Sequence, residues 1–353
     1  MAFMEKFFIG KKAVGPGNPA FIIAEIGSNF GGSIEKAKKL IGAAAEAGAD
    51  AAKFQTFRAE RLVTAASGKP AYQAVRKNGT ETYQRSLKKF EISKEGHLEL
   101  KKCCEKNGII FLSTPHGGEE SVELLESLGL SAYKIGSGDL TNIPFLEFVA
   151  GKKKPVLLST GMATISEIRD AVSAIKARGN SKVLLFQCTS SYPCPVENSN
   201  LLAMETLRKE FGTLVGFSDH TTAVSVSVAA VALGASAIER HFTLNRKDPG
   251  PDHRASLEPH EFAQMVSYIR EVERALGSGK KKPCASELEL AKIARKSVVA
   301  AVDIKAGERI SAGELEVKRP GTGIPPKDIA KVIGRKAKRG IKRDSLISFK
   351  DLV

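Results

Sequence analysis

The sequence predicts an α/β protein, a (β/α)8 TIM barrel followed by a small β-rich domain, and three observations predict it. Eight short apolar runs recur over the first two thirds of the chain, each bounded by Gly, Pro or polar residues. Helix-patterned stretches separate them, which is the signature of buried parallel strands joined by helical crossovers. Beyond about residue 285 this alternation gives way to short β-like runs between turn signals.

The eight runs are FIIAE (21–25), AAKFQT (51–56), IIFLST (109–114), AYKIGSGD (132–139), PVLLST (155–160), VLLFQCTS (183–190), LVGFSDH (214–220) and AIERHF (237–242). The first crossover, SIEKAKKLIGAAAEAG (33–48), has a Ser cap, an amphipathic run and a Gly stop. Further helices fit 94–107, 119–129, 165–178, 201–211, 223–234 and 259–276. The interval 57–92 exceeds one crossover and reads as a loop inserted over the rim. Such a barrel takes about 250 residues, so a chain of 353 has room for a second module. The expected division is a barrel over 1–276, a Gly-, Lys- and Pro-punctuated linker over 277–292 and the β-rich module over 293–353. The module contains SVVAAVDI, ELEVKRP and SLISFKDL. At that size it is marginal alone, so it should pack on a barrel or a partner subunit.

A hydrophobic fraction of 42% and a charged fraction of 26% are those of a soluble globular protein. The net charge of +15 suits nucleic acid, an acidic membrane or a small multiply anionic substrate. Basic residues are spread over helices and the last third without a block rich in stacking aromatics, so no nucleic-acid partner is expected. Five cysteines, odd in number and without CxxC spacing, imply reduced thiols and a cytoplasmic location. MAFMEKFFIGKK is not a secretory signal, and the uncharged stretch 221–238 is too rich in Ser, Thr, Ala and Gly for a membrane span.

Barrel active sites lie at the carboxyl ends of the strands, which would gather Glu25, Lys53, Thr114, Lys134, Ser137, Ser159, Ser218, His220 and His241. His220 and His241 follow consecutive strands and suit a divalent cation with open positions; buried, hydrogen-bonded histidines are the alternative. Lys53 and Lys134, with hydroxyls between them, form an anion cradle more readily than a Schiff-base site. Glu25, Asp139 and Asp252, the last in the stiff PGPD loop, are carboxylates for proton handling, water orientation or sugar hydroxyls.

The motifs FIIAEIGSN, AGADAAKFQTF, IIFLSTP, YKIGSGD, PVLLSTGM, QCTSSYPCP, GFSDHT, ALGASAIERHFT, PGPDH, ARKSVVAAVDIKAGE and VKRPGTGI cover nearly the whole chain. Together they resemble the sialic acid (N-acetylneuraminate) synthase family, which includes legionaminic acid synthases and carries a terminal antifreeze-like SAF domain. The resemblance implies condensation of phosphoenolpyruvate with an open-chain N-acetylmannosamine-type aldehyde and water, with loss of phosphate by C–O cleavage. It implies Mn2+ or Mg2+ on His220 and His241, polarising the aldehyde. Lys53, Lys134, Ser159 and Ser218 would hold the phosphate, Thr114 and Ser137 the carboxylate, and Ser190 stands where some members place an Asn phosphate contact. Glu25 and Asp139 would handle protons, and Tyr192, Asp252 and Arg319 would touch the amino sugar. Arg319 would do so from the SAF module of a partner, which implies a domain-swapped homodimer. Phe30 replaces a His common in the family. A legionaminic acid synthase using 2,4-diacetamido-2,4,6-trideoxymannose is the first alternative. A saccharide- or nucleic-acid-binding protein on an inactive barrel is the second.

Overall fold

The computed structural model describes residues 5–68 and 82–353, in two compact units, 1–277 and 278–353. The first opens with an antiparallel hairpin of β1 (Phe7–Ile9) and β2 (Lys12–Val14). The barrel strands follow: β3 (Phe21–Glu25), β4 (Ala51–Thr56), β5 (Ile110–Pro115), β6 (Tyr133–Ile135), β7 (Val156–Ser159), β8 (Val183–Cys188), β9 (Leu214–Asp219) and β10 (Ala237–His241). All pair in parallel, in the order β5-β4-β3-β10-β9-β8-β7-β6. β5 and β6 lie side by side without a hydrogen-bonded ladder, so the sheet is a nearly closed TIM-like barrel with one seam.

Helices α1 (Ile34–Glu46), α2 (Ala59–Leu62), α3 (Tyr83–Leu87), α4 (Lys94–Lys106), α5 (Glu119–Ser127), α6 (Ile143–Gly151), α7 (Ile165–Ala177), α8 (Ala203–Phe211), α9 (Val224–Ala232) and α10 (Pro259–Leu276) cover the strands. Ser33 caps α1 by accepting from the Lys36 N–H, and Thr164 and Glu167 cap α7 reciprocally. Helix α6 has no counterpart among the helices expected from sequence. Its IPFLEFVAG is apolar nearly all round, so no 3.6-residue stripe announced it. The interval 57–92 contains α2 and α3, and the expected rim loop falls partly on residues 69–81, outside the described residues.

Strand side chains alternate between two cores. Ile22, Ala24, Phe54, Phe111, Ile135, Leu158, Leu185, Phe217 and Ile238 face the helices. Phe21, Ile23, Ala51, Leu112, Ala132, Leu157, Leu184, Phe186, Leu214 and Ala237 fill the interior, joined by Phe7, Ile9 and Val14 of the hairpin. The N-terminal hairpin therefore seals the amino end of the barrel with apolar side chains. Gly216 belongs to the interior layer because a Cβ there would lie 2.7 Å from the Ala237 carbonyl and from the Phe186 ring. Gly216→Ala should therefore cost about 1–3 kcal/mol of stability by overpacking. A lower denaturant midpoint with an unchanged m value would register it.

In the second unit α11 (Ala285–Ala294) begins within the segment read as a linker, runs two residues beyond it, and buries no residue. β11 (Ser297–Ala300) and β12 (Leu315–Lys318) are antiparallel. Val298, Ala300, Ile304, Ile310, Ile324, Val332, Ala337, Ile341 and Ile347 form this unit's own core. The third β-like run, SLISFKDL, makes only isolated bridges at Leu346 and Leu352. No helix among the described residues is long and apolar enough to cross a membrane.

Candidate active site

Where the apolar interior ends, the same inward positions turn polar one turn of the pleat higher. Glu25, Lys53, Thr114, Lys134, Ser159, Ser218 and Glu239 are all buried, each two residues beyond an interior apolar side chain or Gly216. Register places Glu25 beside Lys53 and Glu239 beside Ser218. The Lys53 ammonium lies 2.6 Å from Glu25 and 3.6 Å from Glu239, and donates to Thr114 Oγ1 at 3.2 Å. The Lys134 ammonium lies 3.4 Å from Glu239 and donates to Ser159 Oγ at 2.7 Å. Glu239 also accepts from Ser218 Oγ at 3.0 Å, and Glu25 accepts from Gln55 Nε2 at 3.0 Å.

Burial at this depth disfavours charge, so the pairing decides which groups keep theirs. Burial alone would raise the Glu239 carboxyl, but Lys134 and then Lys53 outweigh it and hold the group down to about 2. Lys53, opposed by burial but facing both Glu239 and Glu25, is pushed above the ordinary lysine range. Lys134 is pulled below it, by burial first. Two ammoniums and two carboxylates, Glu239 shared between the lysines and Glu25 against Lys53, thus sit in a buried well lined with hydroxyls.

His220 and His241 stand above this layer, ring centroids 5.5 Å apart, with the Tyr192 ring 4.2 Å from His220 and 5.7 Å from His241. The Nδ1 of His220 donates to the Thr189 carbonyl at 2.7 Å, which leaves the lone pair on Nε2. Burial, reinforced by His241, lowers His220 to about 4, so the ring is neutral at pH 7. His241 Nδ1 is buried without a hydrogen-bond partner among the described residues. A neutral imidazole whose Nε2 meets only the Ser218 hydroxyl, at 3.4 Å, together with the orphaned ring nitrogen of His241, fits a divalent cation. The remaining positions would fall to water and substrate oxygen, because no cluster of three or more His, Cys, Asp or Glu residues suited to a metal is present among the described residues.

Behind the histidines the outward residues of the same strand ends, Asp219 and Arg240, form a fully buried ion pair. Arg240 also donates to the Thr221 and Ala223 carbonyls, and Asp219 accepts from the Thr221 N–H and Ser227 Oγ. These bonds fix the backbone that carries both imidazoles.

Ser137 Oγ accepts from the Gly161 N–H at 3.0 Å and lies 3.4 Å from Cys188 Sγ. A Cβ on Gly161 would come within 2.4 Å of Ser190 Oγ and 2.8 Å of Ser137 Oγ, so both hydroxyls converge on that glycine. Asp139, in the 3-10 turn Ser137–Asp139, accepts from His116 Nδ1 at 3.2 Å. Asp252 accepts from Ser28 Oγ at 2.8 Å and approaches the position of Gly27, which has a left-handed φ of +50° and lies beside Glu25. Phe30 packs edge-on to Phe54 and Phe90. Arg319 is exposed at the end of β12 in the second unit.

The rim thus gathers the lysines, the two histidines, Glu25 and the hydroxyls of Thr114, Ser159 and Ser218. Sequence reasoning passed over Glu239, Gln55 and His116. Period-2 parity was the available signal: Glu239 shares a face with His241, Gln55 with Lys53, and His116 continues the face of Thr114.

Paired cations among hydroxyls beneath two imidazoles, at the rim of a barrel, suit an enzyme that acts on a small anion. The chain matches the NeuB family over residues 40–281 and the SAF domain over residues 295–353. It is 43% identical over 329 residues to the N,N'-diacetyllegionaminic acid synthase of Legionella pneumophila, covering 92% of each chain. It is 39% identical over 337 residues to the N-acetylneuraminate-9-phosphate synthase of Homo sapiens, covering 95% of this chain and 93% of that one. The crystal structure of N-acetylneuraminic acid (sialic acid) synthetase from Leptospira borgpetersenii serovar Hardjo-bovis, in complex with citrate, is similar in fold, with a TM-score of 0.72. Its sequence is 35% identical, over 81% of this chain and 95% of that one. The chain belongs to the NeuB family of sialic, legionaminic and pseudaminic acid synthases, and is an enzyme of that kind, a phosphoenolpyruvate-using, carbon–carbon bond-forming transferase.

Proposed function

We propose that this synthase condenses phosphoenolpyruvate with open-chain N-acetylmannosamine and water to give N-acetylneuraminate and phosphate. The observation that carries the reading is the buried Lys53–Glu239–Lys134 cluster beneath the imidazole pair. A phosphate entering the well meets two ammoniums already held in place, and Ser159 and Ser218 supply neutral donors alongside them. Thr114 and Ser137 take the donor carboxylate, and Ser190 adds a hydroxyl beside Ser137. Glu25, fixed by Lys53 and Gln55, stays in reach of the reacting oxygens, while Tyr192 and Asp252 bound the acceptor. His220 and His241 would hold Mn2+ or Mg2+, which when bound supplies Lewis acidity to the acceptor carbonyl.

A second acceptor, 2,4-diacetamido-2,4,6-trideoxymannose, is favoured by the 43% identity to named N,N'-diacetyllegionaminic acid synthases. Product mass and phosphate release with phosphoenolpyruvate and each amino sugar decide between them. A product with neither mass, and no phosphate released, would overturn both readings.

We also propose that the enzyme acts as a cytoplasmic homodimer in which Arg319 of the SAF module completes the partner's sugar site. Truncation after Leu276 should then lower kcat/KM for the sugar at least about a hundredfold, as expected for a lost buried charge contact. A truncated barrel with full activity would refute that role.

A further inference from the structure

The seam between β5 and β6 carries a group that the proposed chemistry has not used. His116 follows the end of β5, two residues beyond Thr114, and Asp139 lies two residues beyond Ser137 after β6. Their side chains meet across the seam, His116 Nδ1 to Asp139 Oδ2 at 3.2 Å, where no strand ladder joins the two ends of the sheet. Gly136 makes room for this contact. A Cβ there would stand 2.7 Å from the His116 ring, so the imidazole occupies the space above the inward face of β6, over Lys134. A carboxylate oxygen accepts, so the bond uses the Nδ1 proton and leaves Nε2 as the ring nitrogen not engaged by Asp139. Both side chains keep about a quarter of their surface exposed, at 23% each, so the pair is open to the rim rather than sealed behind it.

We infer that His116 is the base that deprotonates the attacking water, and that Asp139 is the positioning residue that orients its ring. This rests on the proposed reaction. The placement argues for it: Thr114 and Ser137, the hydroxyls assigned to the donor carboxylate, each stand two residues before one member of the pair. The pair therefore adjoins the carbon that bears the carboxylate, which is the carbon water attacks. As the donor's methylene carbon bonds to the aldehyde carbon, water oxygen bonds to the carboxylate-bearing carbon and its proton passes to His116 Nε2. The acceptor's new oxyanion takes a proton from solvent. The C–O bond to phosphate then breaks with its electron pair on the departing oxygen, His116 returns its proton there, and the remaining hydroxyl loses its proton to solvent as the ketone forms. Asp139 stabilises the transient imidazolium, the role a carboxylate plays behind a catalytic histidine elsewhere.

His116→Gln in the full-length enzyme should lower kcat about a hundredfold while the KM for phosphoenolpyruvate stays within about threefold, the size of a lost general base. Gly136→Ala, which displaces the ring without removing it, should lower kcat in the same direction. Added imidazole should restore part of the activity of His116→Gly. Asp139→Asn combined with His116→Gln should be no slower than His116→Gln alone. A His116→Gln enzyme that turns over at the wild-type rate, or a multiplicative double variant, overturns the inference and leaves the proposed reaction standing. Absence of phosphate release by the wild type overturns both.

Discussion

His241→Ala is expected to lower kcat about a thousandfold and to abolish tight Mn2+ binding, with the fold retained. His241 is one of two imidazoles 5.5 Å apart, and its Nδ1 has no hydrogen-bond partner among the described residues. Lewis-acid polarisation of a carbonyl contributes several kcal/mol, and about 1.4 kcal/mol is a factor of ten. Truncation removes a partly hydrophobic contact with Tyr192 and His220 but leaves no charge stranded, so thermal stability should change little. Titration of the variant with Mn2+, followed by calorimetry, separates the metal effect from activity. Undiminished Mn2+ affinity would mean that the two rings do not share a cation.

Lys53→Met is expected to be the most destabilising change in the site, at about 3–5 kcal/mol, because a buried carboxylate left without its partner keeps its full desolvation cost. Glu25 depends on Lys53 at 2.6 Å, and Glu239 loses one of its two cations. Lys134→Met should cost clearly less, since Glu239 keeps Lys53 and Ser218. Both variants should lower kcat/KM for phosphoenolpyruvate by about two to three orders of magnitude, the loss of one preorganised donor at a charged transition state. Urea melts of the two proteins test the asymmetry. Equal midpoints would show that Glu25 does not rely on Lys53.

The strand set was legible because uniform apolar runs of four to six residues between turn signals leave little else to be. Capped amphipathic helices such as α1 and α7 were legible for the same kind of reason, since their Ser33 and Thr164 caps stand in the sequence. Helix α6 was not, because a helix buried on most sides loses the stripe that periodicity detects. Nor was the hairpin of β1 and β2, where KK hides a two-sided pattern in only six strand residues. Within the site, the residues at strand ends and the mid-strand lysines Lys53 and Lys134 were found and Glu239 was not. A carboxylate in mid-strand, flanked by an arginine, reads as half of a local ion pair. The fold instead sends Arg240 outward to Asp219 and Glu239 inward to the lysines.

The hairpin that stoppers the amino end leaves the barrel well, among the described residues, open at its carboxyl end. Lys53 and Lys134 lie nearer its floor than the imidazoles do, so on the proposed reading a phosphorylated donor would descend past the place the sugar would occupy. On that reading loading would be sequential, donor before acceptor, and the liberated phosphate would be the last to climb out. A surplus of acceptor should accordingly obstruct turnover by trapping the deeper guest.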